Sequence, residues 1–416
     1  MTAATEETKM LKQDFQGLKI EFAICGEGVQ FEADSANASA FNCIFGDGQV
    51  VFALHCPGRE APLCPRAGAE TGDKVRIVLL PHRIELHVNG VLADEEWPTA
   101  YMPARDVSGR AECAVSAYEE PEAPAQTVLG EFKNAEGWRP GGGVYVGDCM
   151  PFSHEGRYHV LYLKDRHRHG SKWRLGAHQW EHISTEDFVT WQIHPMAVPV
   201  TKPEEGSICT GSWIPANGRQ YLFYTVRSCD GSPAKIRRSV SQDGYHFVKD
   251  EDFSFEISSR YTAASARDPK VIAGEDGRYH MVLTTRLAKE KLGCLVHLVS
   301  DDLDDWQELP EPIYIAPDDN EPECPDYFAL NGWYYLIFSH YAKGMYLYSD
   351  KPFTGWRRPA EPLIPCRSVP KMALWRGRIL FTGFASDDGY AGTMTFMEAE
   401  QTENGELRFY PMEPEK

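Results

Sequence analysis

Five segments of this chain repeat one form: a glycine in a turn, then a strand of aromatic and β-branched residues. They are Gly156-Arg157-Tyr158-His159-Val160-Leu161-Tyr162, Gly218-Arg219-Gln220-Tyr221-Leu222-Phe223-Tyr224, Gly277-Arg278-Tyr279-His280-Met281-Val282-Leu283, Gly332-Trp333-Tyr334-Tyr335-Leu336-Ile337-Phe338 and Gly377-Arg378-Ile379-Leu380-Phe381-Thr382-Gly383. The glycines lie roughly 45 to 62 residues apart, the period of a four-stranded propeller blade. A second element follows four of them: Ser184-Thr185-Glu186-Asp187, Ser241-Gln242-Asp243, Ser300-Asp301-Asp302 and Ser349-Asp350, each with an aromatic a few residues on. Ser and Asp side chains start turns by bonding to nearby backbone, so these elements count blades and carry no chemistry. Five units predict an all-β fold with a five-bladed propeller over 131–400 and a C-terminal extension over 401–416.

Residues 1–130 have a different texture. Lys74-Val75-Arg76-Ile77-Val78-Leu79-Leu80 and Arg83-Ile84-Glu85-Leu86-His87-Val88 alternate as paired strands, and Asn89-Gly90 is a turn signal. Short alternating strands predict a β-sandwich, lectin-like in pattern. Its two candidate roles are sugar binding and packing against the propeller. Glu119-Glu120-Pro121-Glu122-Ala123-Pro124 reads as the linker.

The formal net charge is -19, with no basic stripe among aromatics, so nucleic acid and anionic membranes are poor partners. No apolar run approaches the ~18 residues of a membrane span. The first residues show no signal peptide. The 11 cysteines are odd in number and form no CxxC pairs, which predicts free thiols in the cytoplasm. A hydrolase kept there would meet small imported sugars rather than polymers, so a small oligosaccharide would be its expected partner.

In a propeller the first strand of each blade lines the axis. Here that strand lies just before each glycine turn. Roughly six to ten residues back stand Asp148, Gly211-Ser212, Arg267-Asp268, Glu323 and Lys371. Charged groups on innermost strands are costly to desolvate and need a reason. Glycoside hydrolysis supplies one: a carboxylic acid protonates the leaving oxygen while a carboxylate stands opposite. Crowded carboxyls also separate in pKa, which assigns acid and base.

Asp148, the Arg267-Asp268-Pro269 triplet and the Glu323-Cys324-Pro325-Asp326 run, in this order, resemble the three signatures of glycoside hydrolase family 32, the β-fructofuranosidases. Cys209-Thr210-Gly211-Ser212 and His178-Gln179-Trp180-Glu181-His182-Ile183-Ser184 with Trp191 resemble further stretches of that family. The resemblance covers about residues 139 to 400. It implies a retaining exo-hydrolase of short fructosides or related furanosides. Asp148 would be the nucleophile, Glu323 the general acid/base, and Asp268 the holder of sugar hydroxyls. Arg267 would brace the carboxylates, and Asp165, His178, Trp180, Ser212 and Lys371 are further candidate sugar-binding residues. No cofactor is expected. His178 and His182 stand four apart and His167 and His169 two apart, but no helix and no Cys pair joins them, so no metal is expected either.

The chain departs from the family pattern. Val146-Gly147-Asp148-Cys149-Met150-Pro151 lacks the asparagines of the family's first motif, Leu163 stands where Gln is common, and the sandwich precedes the propeller. Two alternatives therefore stay open: an inverting hydrolase like family 43, acting on arabinofuranosides or xylosides, and a non-catalytic sugar-binding protein.

Overall fold

Alternation of buried and exposed positions decides the N-terminal architecture. In Leu18–Ala23 and Gln49–Leu54 every second side chain is buried, the pattern of strands with one face on a core. The computed structural model describes residues 17–34, 41–55, 61–80, 83–96, 106–118, 126–129, 138–140, 144–166, 178–201, 205, 207–227, 232–387 and 389–413. Its first ten strands form two five-stranded antiparallel sheets. One runs in the order Ala114–Ala117, Leu18–Ala23, Lys74–Leu79, Ile84–Val88, Val91–Glu96. The other runs Arg66–Gly68, Gln49–Leu54, Phe41–Gly46, Gly28–Asp34, Asp106–Gly109. Ile20, Phe31, Phe41, Phe52, Ile77 and Leu86 fill the space between them. The hairpin read from the sequence pairs Val75 with Val88, and Asn89 and Gly90 turn the chain at positive φ.

The rest of the fold is a five-bladed propeller. Blade one holds Tyr145–His154, Arg157–Asp165, Gln179–Thr185 and Thr190–Ile193; blade two Ser207–Ala216, Arg219–Arg227, Lys235–Ser241 and Val248–Lys249. Blade three holds Arg267–Ala273, Tyr279–Arg286, Gly293–Ser300 and Gln307–Glu308, and blade four Glu323–Leu330, Trp333–His340 and Lys343–Ser349. Blade five holds Ser368–Trp375, Arg378–Ser386, Gly392–Gln401 and Leu407–Pro411. One turn of 3-10 helix, Ala263–Ser265, is the only helical element among the described residues. No helix there is long and apolar enough to cross a membrane.

The repeated glycines have a common physical cause. Glu155-Gly156, Asn217-Gly218, Asn331-Gly332 and Arg376-Gly377 each place two successive residues at positive φ. That is the two-residue hairpin turn whose twist matches the strands it joins. The Ser-x-Asp turns are equally regular. Ser241 Oγ accepts from the Asp243 and Gly244 amides, and Asp243 Oδ1 accepts from Tyr245 and His246. In blade one Thr185, not Ser184, plays this part; Ser184 instead bonds Arg157 and His194.

Two boundaries differ from those read off the sequence. Gln126–Leu129 pairs with Thr190–Ile193 on the outer edge of blade one, so strand pairing with the propeller begins before residue 130. Leu407–Pro411 pairs with Gly392–Gln401 as the last strand of blade five, so most of 401–416 belongs to a blade and is not an extension. Both segments cover strand edges that would otherwise present unpaired backbone groups.

The sandwich meets the propeller through Val91–Glu96. Arg166 of blade one bonds Asp94 Oδ1 at 2.7 Å and the Ala93 carbonyl at 2.7 Å. Lys164 pairs with Glu95 at 2.5 Å and Glu181 at 3.1 Å, with Glu95 almost wholly buried. Removing one partner of a buried pair leaves the other charge uncompensated, at a cost of about 3–5 kcal/mol. Lys164→Met should therefore split the calorimetric unfolding of the full chain into two transitions, the sandwich and the propeller melting apart; a single transition at unchanged temperature would show that this contact does not couple them.

Candidate active site

All five inner strands carry the same irregularity. The register shifts between Val146 and Cys149, Ile208 and Gly211, Arg267 and Lys270, Glu323 and Asp326, and Ser368 and Lys371. In each, three steps on the inner strand oppose two on its neighbour. This is a β-bulge of one extra residue, which re-aims side chains at the rim of a sheet. Asp268, Cys324 and Val369 reach left-handed φ of 61°, 53° and 48° within these bulges. Each costs on the order of 1–2 kcal/mol for a residue with a Cβ.

The bulges divide the axis into two sides. The residues before and within them, including Asp148, Thr210, Arg267, Asp268, Glu323 and Cys324, line a cavity of about 450 Å³. The residues after them, including Ser212, Lys270, Asp326 and Lys371, line a second cavity of about 270 Å³.

In the first cavity Asp148 is gripped by three donors. Tyr390 OH donates to Oδ1 at 2.8 Å, while Thr210 Oγ1 at 2.6 Å and the Cys324 thiol at 3.3 Å donate to Oδ2. Cys324 also lies between the two aspartates: its amide donates to Asp268 Oδ2 at 3.1 Å and its sulfur is 3.5 Å from the same oxygen. Burial and the flanking Asp148 and Asp268 push the Cys324 thiol well above its ordinary value. It stays protonated and separates two carboxylates without adding a third negative charge.

Arg267 is the hub of the other half. Its guanidinium pairs with Glu323 Oε1 at 2.6 Å, with Glu321, and with Asp268 at 3.5 Å. Burial opposes its charge, but Asp268, Glu323 and Glu321 outweigh that. Glu321 is braced from behind by Arg286 at 2.9 Å. Burial alone would raise the Glu321 carboxyl, yet Arg267 and its other donors hold it below the usual range. Asp268 goes the other way: burial, then the neighbouring Glu323 and Asp148, raise it against the pull of Arg267. The crowding expected among these acids thus falls on Asp268. The Glu323 side chain is 45% exposed, at the open side of the cavity.

The structure brings Asp148, Asp268, Glu323, Arg267 and His178 to one cavity. Asp165 stands one layer behind, fully buried and 3.0 Å from His178 Nε2, whose ring packs 5.4 Å from that of Tyr390. Three expected residues lie elsewhere. Trp180 is fully buried, bonds the Cys209 carbonyl at 3.0 Å, and packs over Gly211, where a Cβ would lie 1.8 Å from the Phe223 carbonyl oxygen. Ser212 donates to the Pro269 carbonyl and accepts from the Val271 amide, both at 2.9 Å. Lys371 donates to the Gly211 and Pro325 carbonyls at 3.1 Å each. Ser212 and Lys371 follow their bulges and therefore face the second cavity, as ties between blades. Sequence reasoning missed Thr210 as a partner of Asp148, Glu321 as a brace for Arg267, and Tyr390, which arrives from a blade-five loop.

Asp268 has a consequence for stability. Its folded pKa is raised, so the native state holds the proton more tightly than the unfolded chain. The cost of ionising it is absent below the ordinary value of 3.8 and develops as pH rises through the raised one. Asp268→Asn should melt higher than wild type at neutral pH, and the difference should vanish near pH 3; a variant that melts lower at pH 7 would contradict this. Lys371→Met should lower the melting temperature through two carbonyls left unpaired, about 1–3 kcal/mol each, while KM stays within about twofold. A large rise in KM would return Lys371 to the sugar site.

Comparison with known proteins follows the same ground. Residues 149–355 match the model of the glycosyl hydrolases family 32 N-terminal domain, beginning one position after Asp148. A sucrose-6-phosphate hydrolase of Bacillus subtilis (strain 168) is 34% identical over 195 residues, 44% of this chain and 39% of that protein. A raffinose invertase of Escherichia coli is 28% identical over 193 residues, again 44% of this chain and 39% of the relative. The matched segment thus spans about two fifths of these curated relatives. Among solved structures, fructan 1-exohydrolase IIa from Cichorium intybus superposes with a TM-score of 0.55 at 17% identity, over 71% of this chain and 62% of that one. The last is a likeness of fold.

Proposed function

We propose that this chain, which belongs to glycoside hydrolase family 32, is a retaining exo-hydrolase of short fructosides or related furanosides. The observation that carries the reading is the pairing of a buried, three-donor Asp148 with a half-exposed Glu323 in one cavity. The names of the two curated relatives, a sucrose-6-phosphate hydrolase and a raffinose invertase, support a short sugar as substrate. Free thiols at Cys43, Cys149, Cys324 and Cys366 suit a reducing compartment.

The chemistry divides between the two acids. Asp148, immobilised by Tyr390, Thr210 and Cys324, attacks the anomeric carbon as the bond to the leaving oxygen breaks. Glu323 gives its proton to that oxygen. A water then attacks the glycosyl-enzyme, its proton passes to Glu323, and Asp148 is released. Asp268 and His178 line the cavity within reach of hydroxyls on the bound sugar. Leu163, His178 and Tyr390 line the cavity, and a Cβ on Gly147 would meet the Tyr390 hydroxyl, so the glycone meets a wall without the family's asparagines.

Activity should be measured on nitrophenyl furanosides, sucrose, inulobiose and difructose compounds, with the anomer of the first product read by NMR. Retention is expected. Asp148→Ala and Glu323→Ala should each lose ~10²-fold or more in rate, and azide should partly restore Glu323→Ala on good leaving groups. An inverted product would favour the family 43-like alternative. Near-normal turnover by Glu323→Ala on a poor leaving group would remove Glu323 from the mechanism.

A further inference from the structure

The inner strand of blade one starts beside Asp148 and ends at His154, six residues or about 20 Å further on. Past Asp148 on the same blade, with His159 opposite Phe152 and His182 one strand further out, blade one gathers imidazoles. His159 comes from the second strand, His182 from the third, and His194 directly follows the fourth. One ring nitrogen from each lies within 4.8 Å of the others, and all three residues are buried. His159 Nδ1 and His182 Nε2 are 2.9 Å apart, and the His194 amide donates to the His182 carbonyl at 2.8 Å. His194 Nε2 meets Ser184 Oγ at 2.7 Å. His182 Nδ1 and His159 Nε2 are buried without a hydrogen-bond partner. An orphaned donor or acceptor at such depth costs about 1–3 kcal/mol and calls for an explanation.

Blade three provides an internal control. His280 and His297 make the same pair, Nδ1 to Nε2 at 2.9 Å, from the equivalent Arg-Tyr-His repeat. There the outer nitrogen of His280 reaches Asp276 at 3.1 Å, and the Phe353 ring stacks 4.0 Å away. A stacked histidine pair is thus a packing device of this repeat. Blade one adds His194 and leaves two nitrogens unanswered, neither of which packing requires.

We propose that His159, His182 and His194 bind one transition-metal ion, with Zn²⁺ the expected occupant. Three imidazoles without thiolate or carboxylate suit Zn²⁺, Cu²⁺ and Ni²⁺ rather than Mg²⁺ or Ca²⁺. All three rings are buried, which favours the neutral imidazole whose lone pair binds a metal. Zn–N bonds of about 2.0–2.1 Å need the three nitrogens roughly 3.3 Å apart, so nitrogens now within 4.8 Å of one another close by up to about 1.5 Å. His154, whose ring lies 5.8 Å from His159, stands beside the fourth position. Tyr245 from the blade-two turn covers all three rings at 4.9 to 6.2 Å. So enclosed, the ion ties three segments of one blade together and takes no part in hydrolysis.

The test uses the full chain stripped with a chelator, then titrated with Zn²⁺ or Co²⁺ alone. One ion per chain, a melting temperature raised by several degrees with Zn²⁺, and the visible bands of four-coordinate Co²⁺ are expected. His194→Gln should lose all three while hydrolysing its substrate as wild type does; His280→Gln in blade three should keep them. A wild-type chain that takes up no stoichiometric ion, or a His194→Gln variant that binds as wild type does, overturns the proposal. Should His194→Gln fail to fold, the Co²⁺ spectrum of the wild-type chain decides alone, its absence counting against the site.

Discussion

Five strands converge on the propeller axis, and each must present polar side chains to one side of it while packing on the other. A regular strand sends alternate residues to opposite faces. The single extra residue in every inner strand resolves this conflict. It turns Asp148, Asp268 and Cys324 toward one cavity and Ser212, Asp326 and Lys371 toward the other. The bulge is itself strained, with a β-branched Val369 at φ 48°. The polar ties between blades are what hold it: Lys371 to Gly211 and Pro325, Ser212 to Pro269 and Val271, Lys270 to Asp326 at 2.6 Å.

Those ties also set the electrostatics. Arg267 carries the only guanidinium among the described residues lining the cavity, against Asp148, Asp268 and Glu323. Because it engages Glu321, Glu323 and Asp268 together, its charge is shared rather than spent on one acid. Asp268 is the more deeply buried of the two aspartates, and burial above all moves its carboxyl up. A protonated thiol at Cys324 then separates the remaining like charges.

Much of this was legible before any coordinates, because glycine at positive φ leaves a mark in the sequence. Gly156, Gly218, Gly277, Gly332 and Gly377 counted the blades correctly. The bulges left no such mark. Cys324 and Val369 occupy left-handed backbone without being the residue types that signal it, so the side each inner residue faces could not be counted from the turn. That is why Ser212 and Lys371 were grouped with Asp148, Asp268 and Glu323 although they face the other cavity. Tyr390 reaches Asp148 from across the closure of the ring, and no local pattern announces a contact between residues so distant in the chain. Trp180 was singled out by family resemblance, but its ring is taken up in filling the space left by Gly211.

Each blade is made of one contiguous stretch of chain. Among the described residues, blades one and five join through the bridge of Val146 to Gly392 and the Met394 amide donating to the Trp138 carbonyl, and no strand is exchanged between them. Nearly all strand pairs therefore form between neighbours in sequence, which makes each blade a local event as the chain emerges during synthesis. Sealing the circle is the one distant step. Its entropic cost rises only with the logarithm of the roughly 250 residues spanned. Tyr390 sits just before Gly392, so Asp148 acquires its hydroxyl partner only when the ring has closed. A nascent chain with four blades folded has its acids in place but not the arrangement that orients Asp148.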